Sequence, residues 1–462
     1  MKAVLIFLTL FTFTLSVYFT YDRYERQGVS TLRIFDGTNE QTLSTKGKIE
    51  FNDAETAVER MDPTAFLRYR SNDLKLKIES AKGQIIYELT DDGRKLNIND
   101  SNGKRVLAST IKAILETGYE ARGRAERLYK KGGAAAVMAA TANMQQAFVK
   151  ATYLDYLISI DSLSQQEVLN VIKLTGTIDA DFEKAKLLRA LSSRLHDSTI
   201  TIAYLDIVAT IDADYEKGSV LKNVAKRIAD STGFMAILKT TAGIESDHEK
   251  SQVIGQLVSQ QPLTNDRAIA LLGVIKGMGA DFEKSNLLRA ISTTLITDSL
   301  TAHAYLQAVT SMQSDYEKVR ALEPLVKQPM SMPVFHEVAL ITGNLDAEHE
   351  KVGLLRMMLD RTNDVDERIS RILMVIHDMN GEFEKVNLMK RIAERQSLPE
   401  RDWVALIAEA AEVSNDSEKS NLLIHFAGRM PKTEAVVSSY TRAAKTINSD
   451  MEYGRALKAS EK

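Results

Sequence analysis

From residue 144 onward the apolar residues fall on one face of successive helix-length segments, and the pattern returns every 33 or 34 residues. An aliphatic residue or methionine stands at 178, 211, 244, 278, 312, 345, 379, 413 and 447. Another stands at 188, 221, 254, 288, 322, 355, 389, 423 and 457. Between the two series lies a polar signature, Asp181-Phe182-Glu183-Lys184. It returns as Asp214-Tyr215-Glu216-Lys217, Asp247-His248-Glu249-Lys250, Asp281-Phe282-Glu283-Lys284 and Asp315-Tyr316-Glu317-Lys318. It continues as Glu348-His349-Glu350-Lys351, Glu382-Phe383-Glu384-Lys385 and Asp416-Ser417-Glu418-Lys419, and fades at Asp450-Met451-Glu452-Tyr453. Each unit carries two apolar-periodic segments, the first spanning 181–195 and the second 200–211, where Tyr204, Ile207, Val208 and Ile211 share a helical face. A fixed period of this length predicts a mostly α chain, an α-solenoid of HEAT-like or TPR-like helix pairs. Met144 to Lys150 keeps the frame without the acids, so residues 144–462 hold about ten units counting the worn ends. Pro262, Pro329, Pro333, Pro399 and Pro431 fall in the links between paired helices, where no amide donor is needed. Pro324 falls inside a first helix and is expected to kink or end it.

The pattern changes upstream. Residues 29–35, 48–51, 66–70, 74–79, 85–89 and 95–99 are short runs with partial alternation, clearest where Leu74, Leu76 and Ile78 alternate with Lys75, Lys77 and Glu79. Lys82-Gly83, Asp92-Gly93 and Asn102-Gly103 punctuate them with hairpin-turn chemistry. A small antiparallel β-rich domain of about six strands is predicted over 28–106. A helical neck follows over 107–143, interrupted at Gly118 and again at Gly132-Gly133, where Lys130-Lys131 suit a helix C-terminus.

The N-terminal 27 residues have a different character: Lys2 precedes an uncharged, largely apolar run from 3 to 19, and charged residues follow from Asp22. The run is at the short limit for a membrane-spanning helix. It also fits a secretory signal, although Val17-Tyr18-Phe19 offers no small-residue cleavage site. A single-pass anchor with the bulk of the chain outside the cytoplasm is the preferred expectation, with a secreted or periplasmic protein as the alternative.

Composition narrows the chemistry. The chain of 462 residues has a net charge of −3 and no cysteine. The charge argues against a nucleic-acid partner, and the missing cysteines remove disulfides, thiolate metal sites and thiol nucleophiles. Asp100, Asn102 and Gly103 do not form a calcium loop, because Ile98 stands where that loop needs an acid. Gly132-Gly133 lacks the lysine and hydroxyl residue of a phosphate loop. The histidines at 196, 248, 303, 336, 349, 377 and 425 show no zinc-peptidase spacing. No catalytic residue, cofactor or metal is expected.

The repeated acids have a mechanical reading. Asp181, Asp214, Asp247, Asp281, Asp315, Glu348, Glu382, Asp416 and Asp450 open first helices, where a carboxylate accepts from unpaired amides of the first turn. The following glutamate suits the helix dipole, and the lysine is expected to pair with a neighbouring unit's acid. Successive units stack about 10 Å apart, too far for the acids to share one metal ion. The residue inside the signature cycles Phe182, Tyr215, His248, Phe282, Tyr316, His349, Phe383. Two readings remain open for it: packing between units, or an exposed partner-binding stripe. The near identity of 181–190 with 281–290 marks a duplicated block of about 101 residues.

The stretch Glu120-Ala-Arg-Gly-Arg-Ala-Glu-Arg-Leu-Tyr-Lys-Lys-Gly-Gly133, followed by repeats of the form Ile-x-x-Asp-Tyr-Glu-Lys-x-x-x-Leu, resembles a bacterial extracytoplasmic family. In some members a similar β region and repeat array follows a membrane-embedded zinc peptidase of the β-lactam-sensor type. The resemblance covers most of residues 30–460. The peptidase half is not present in this sequence, so no catalytic residue carries over. The expected function is non-catalytic binding of a protein or peptide in the cell envelope, with membrane attachment through the N-terminal segment. The alternative is an envelope sensor that signals through its single anchor.

Overall fold

The computed structural model describes the chain apart from residues 1–19, 27, 36–39, 196, 229, 261–262, 296–298, 363–366, 396 and 462. The expected N-terminal anchor therefore lies outside the described residues. No helix among the described residues is long and apolar enough to cross a membrane. The chain divides into two compact units, Met1–Arg194 and Leu195–Lys462.

The first unit opens with strands β1 Thr20–Arg26, β2 Val29–Phe35, β3 Glu40–Lys46, β4 Ile49–Phe51, β5 Val58–Met61, β6 Phe66–Ser71, β7 Leu74–Ala81, β8 Gln84–Asp91 and β9 Arg94–Leu96. Seven of them form one antiparallel sheet in the order β1-β2-β3-β6-β7-β8-β9, and β4 pairs with β5. The count of about six strands is thus corrected to nine among the described residues. β1 and β3 were not expected because their sequences are polar, and β5 is only four residues long. The hairpins turn where expected: Lys82 and Gly83, and Asp92 and Gly93, all have positive φ, as a tight two-residue turn requires. One sheet face buries Leu32, Ile34, Leu43, Leu67, Leu76, Ile78 and Leu89 against Leu107, Ile111 and Ile114 of helix α1, Ser101–Glu116.

The turn expected at 101–103 is instead the first turn of α1. Asp100 caps it, accepting from the Gly103 amide at 2.7 Å. Gly103 must be glycine, since a Cβ there would meet the Asn97 carbonyl oxygen at 2.0 Å. Helix α2, Ala121–Ala142, is broken at Gly132 and Gly133, whose dihedrals are non-helical, at the position where glycine was expected to end a helix. The unit continues through α3 Ala147–Ile158, α4 Gln165–Gly176, α5 Asp181–Leu191 and a 3₁₀ turn, Ser192–Arg194.

The second unit holds α6 Ser198–Ala209, α7 Asp214–Ala225, α8 Ser231–Ala242, α9 Asp247–Gln260, α10 Asn265–Lys276, α11 Asp281–Leu295, α12 Ser299–Thr310 and α13 Asp315–Val326. It continues with α14 Met332–Gly343, α15 Glu348–Asp360, α16 Arg368–His377, α17 Glu382–Ala393, α18 Glu400–Ala411, α19 Asp416–Ala427, α20 Glu434–Ala444 and α21 Asp450–Ser460. Odd-numbered helices pack on odd-numbered ones, from α7·α9 to α19·α21, and even on even, from α6·α8 to α18·α20. The result is a repeated two-layer helical array following an antiparallel β region. Both apolar series form its core: Ile211, Ile244, Met278, Met312, Leu345 and Met379 are buried, as are Leu221, Ile254, Leu288, Leu322 and Leu355. Trp403 packs edge-on against Phe426, joining α18 to α19. Pro324 does not end its helix, because α13 runs on to Val326.

Candidate functional site

The acidic signature starts helices, but not as a cap. Asp181, Asp214, Asp315, Glu348, Glu382, Asp416 and Asp450 are the first residue inside their helices. The extended cap position belongs to the residue before. Where that residue is Ser314, Asn415 or Ser449, its side chain accepts from the amide three residues on. Where it is Ala180, Ala213, Ala347 or Gly381, no side-chain cap bond forms.

The carboxylates reach forward into the next repeat. Asp214 accepts from the Ser246 amide at 2.6 Å, Asp247 from Gly279 at 2.7 Å and Ala280 at 2.6 Å. Asp281 accepts from Gln313 and Ser314, each at 2.7 Å, and Asp315 from Asp346 at 2.6 Å and Ala347 at 2.8 Å. Glu348, Glu382 and Asp416 bond Gly381, Asn415 and Ser449 in the same way. The capping expectation is therefore corrected for these residues. The unpaired amides they satisfy are those that precede the following first helix, and the bond joins two repeats. Asp450 opens the last described helix.

The other two signature residues complete the joint. The lysine is buried in most repeats. It pairs with its own repeat's first acid, at 3.0 Å for Lys318–Asp315 and 3.5 Å for Lys250–Asp247. It also donates to the end of the second helix: Lys284 reaches the Ser311 carbonyl at 3.2 Å and Lys419 the Thr446 carbonyl at 3.3 Å. Pairing with a neighbouring unit's acid is thus replaced by a clamp on the connecting loop. A buried ammonium needs such partners. The glutamate reaches backward: Glu249 to Lys222 at 3.3 Å, Glu283 to His248 at 3.2 Å, Glu384 to Arg356 at 2.9 Å, and Glu317 to the Ser285 hydroxyl. Gly218 makes room for Glu249, whose carboxylate oxygen lies 2.8 Å from where a Cβ would stand.

While the first acid bonds the next repeat and the lysine clamps the connecting loop, the residue inside the signature faces solvent. Phe182 is 60% exposed, Tyr215 67%, Phe282 58%, Tyr316 57% and Phe383 68%. The imidazoles of His248 and His349 are exposed too. Packing between units, the competing expectation, does not describe these side chains. In the second unit, Tyr215, His248, Phe282, Tyr316, His349 and Phe383 stand at one frame position on α7, α9, α11, α13, α15 and α17, which pack side by side. Met451 on α21 is a further exposed member. In the first unit, Phe148 on α3 and Phe182 on α5 are the equivalent pair. Neither Phe148 nor Met451 was singled out from the sequence, although both lie in frame.

Two neighbours shape this row. The Arg320 guanidinium lies 5.8 Å from the Phe282 ring centre and 5.6 Å from that of Tyr316, within cation–π reach of both. It is held by Glu317 at 2.9 Å and Asn286 at 3.2 Å. His248 is oriented by Glu283 on one ring nitrogen and by Gln252 at 2.8 Å on the other. Among the described residues the second helices show no comparable row. Ile202, Met235 and Ile269 share a frame position, but the series passes to His303 and Glu337.

Elsewhere, His377 lies 2.8 Å from Glu409, whose carboxylate holds the imidazole above its ordinary pKa. Burial, with help from Arg429, pushes His425 down. His196 lies outside the described residues. A cleft of about 410 Å³ in the first unit is lined by Gln41, Lys112, Glu116, Thr117, Arg124 and Gln146. Arg124 is already committed to Glu55 at 2.5 and 2.8 Å, and the Thr117 hydroxyl to the Ile114 carbonyl at 2.6 Å. No group of three or more metal-ligating side chains occurs among the described residues.

No protein-family model matches the chain, and no curated protein matches it.

Proposed function

We propose that this protein is a non-catalytic scaffold that binds a protein or peptide partner along the first-helix edge of its repeat array. The apolar run at 3–19 would serve as its membrane anchor, placing the array outside the cytoplasm, in the cell envelope. One observation carries the binding reading. Six aromatic or imidazole side chains recur at one frame position and stay exposed, although the acid beside each of them bonds the next repeat. Exposed aromatic rings cost solubility, and a contiguous set of them marks an interaction surface. Aromatic side chains also bury much area for little lost rotamer freedom, which suits binding.

A photo-crosslinking residue placed at Phe282 in the full chain tests this, with Leu300 as control. Leu300 is 72% exposed but stands on a second helix. The expected result is a discrete adduct from position 282 and a weaker or absent one from 300. Equal yields from both, or none from 282, would overturn the assignment.

A further inference from the structure

Accepting the aromatic row as the binding face, its spacing and flanking charges define the segment that fits it. Helices packed side by side, as α9, α11, α13 and α15 are, lie about 8–10 Å apart. The row therefore offers one ring per interval of that length. A polyproline II helix rises about 3.1 Å per residue with three residues per turn, so residues i, i+3 and i+6 share one face at intervals of about 9.3 Å. A β-strand places residues i and i+3 on opposite faces. An α-helix needs about six to seven residues to advance as far. An α-helix repeats a face only every seven residues, at about 10.5 Å, beyond that interval, so polyproline II is the regular conformation whose repeat falls within it, and exposed aromatic surfaces are what prolines pack on.

The flanking charges then set register. In each connecting loop, the residue two before the signature's first acid stands three positions ahead of the ring in sequence. Before His248 it is Glu245, before Phe282 it is Gly279, before Tyr316 it is Gln313, and before His349 it is Asp346. Glu245 and Asp346 are exposed. The four loops thus read acid, neutral, neutral, acid. Arg320, seated between Phe282 and Tyr316, disfavours a cation over the centre and leaves the two rings to an uncharged group.

We propose that the occupant is a proline-rich segment of a partner protein in polyproline II conformation. Its prolines sit on Phe282 and Tyr316, and a basic side chain at each end faces Glu245 with His248 and Asp346 with His349. The pattern is basic-x-x-Pro-x-x-Pro-x-x-basic. Cations at the ends gain from the carboxylates of Glu245 and Asp346.

The test is fluorescence polarisation of the full chain with the labelled peptide Lys-Ala-Ala-Pro-Ala-Ala-Pro-Ala-Ala-Lys. Two controls accompany it: the same peptide with one alanine inserted between the prolines, and one with glutamates in place of the lysines. The first peptide is expected to bind, and each control to bind about tenfold more weakly or not at all. F282A/Y316A is expected to lose about tenfold in affinity. E245Q/D346N should weaken binding and flatten its dependence on salt. All four side chains are exposed, so unchanged thermal melts will show that the variants fold. No binding up to about 1 mM, equal binding of the inserted peptide, or full binding by F282A/Y316A overturns the proposal. The crosslink at Phe282 separates this failure from failure of the binding reading itself. An adduct with a partner that has no such segment keeps the face and removes the proline-rich occupant.

Discussion

Asp281 accepts two amides from the loop that opens the next repeat, and Lys284 beside it holds that loop's carbonyl. D281A leaves both amides, one exposed and one half-buried, to water, and the loss of hydrogen bonds to a charged acceptor costs about 1–3 kcal/mol. Chemical denaturation should show a loss in that range. D281N retains an acceptor and should lose less. If the carboxylate only served its own helix, the loss would stay near the smaller value of a missing cap, about 1 kcal/mol, and the Gln313 and Ser314 amides would exchange no faster. Asp315 adds a pH signature. Burial acts to raise its carboxyl, but bonds from the Ala347 and Asp346 amides and from Lys318 outweigh this and hold it below the usual aspartate range. A depressed folded-state pKa contributes stability that is present above the unfolded value of about 3.9 and is lost as pH falls toward the folded one. D315N should therefore flatten the acid limb of the stability profile below about pH 4. At His377 the sign reverses. Glu409 raises the imidazole, so its contribution is full below about pH 6.5 and fades as pH climbs through the folded value. An NMR titration should place the His377 midpoint above that of a free imidazole, and E409Q should bring it down.

Among the elements, the join between β9 and α1 is the least tolerant point in the β region. A Cβ at Gly103 would collide with backbone at 2.0 Å, and backbone cannot swing aside as a side chain can. G103A should cost about 3 kcal/mol or more, seen as loss of the first unit's melting transition with the second unit's retained. The same join shows how legible the fold was. Asn102-Gly103 carries turn chemistry and was placed in a turn, yet Asp100 caps a helix there, because α1 must cover the sheet face from Leu32 to Leu89. Strand β3 escaped notice since Leu43 is its only large apolar residue, while Thr45 is buried beside it. The helix pairs were legible because the frame never slips: the apolar series predicted the array core at every position except the last, Leu457, which is half-buried. The partners of the acids were not legible. A period shows that a residue recurs, but it does not say whether its side chain turns to its own helix or to the neighbour some 32 residues on. The exposure of the ring position was unreadable for the same reason, since it depends on what the other three signature residues do.

At the scale of the whole molecule, stability in a repeat array is a sum of unit and nearest-neighbour terms. The signature supplies the polar part of each neighbour term. D281A/D315A removes two successive joints, so hydrogen exchange should accelerate in α13, α14 and α15 and leave the distant α19–α21 protected. Uniform acceleration along the whole second unit would show that the joints are not the local terms they are taken to be. The aromatic row follows from the same arrangement. Because the acids and lysines close the joints, the rings can vary among Phe, Tyr and His without altering the stack, and the face they form is free to be specific.

The forward reach of the acids also gives the chain a direction in time. For the first acid of each signature from Asp214 to Asp416 the acceptor is made before its donors, which lie some 31 to 33 residues later. As the polypeptide emerges during synthesis, each finished repeat already displays the carboxylate that will take hold of the next loop. The array can therefore extend from a settled end, one helix pair at a time, without waiting for its last repeat to be translated.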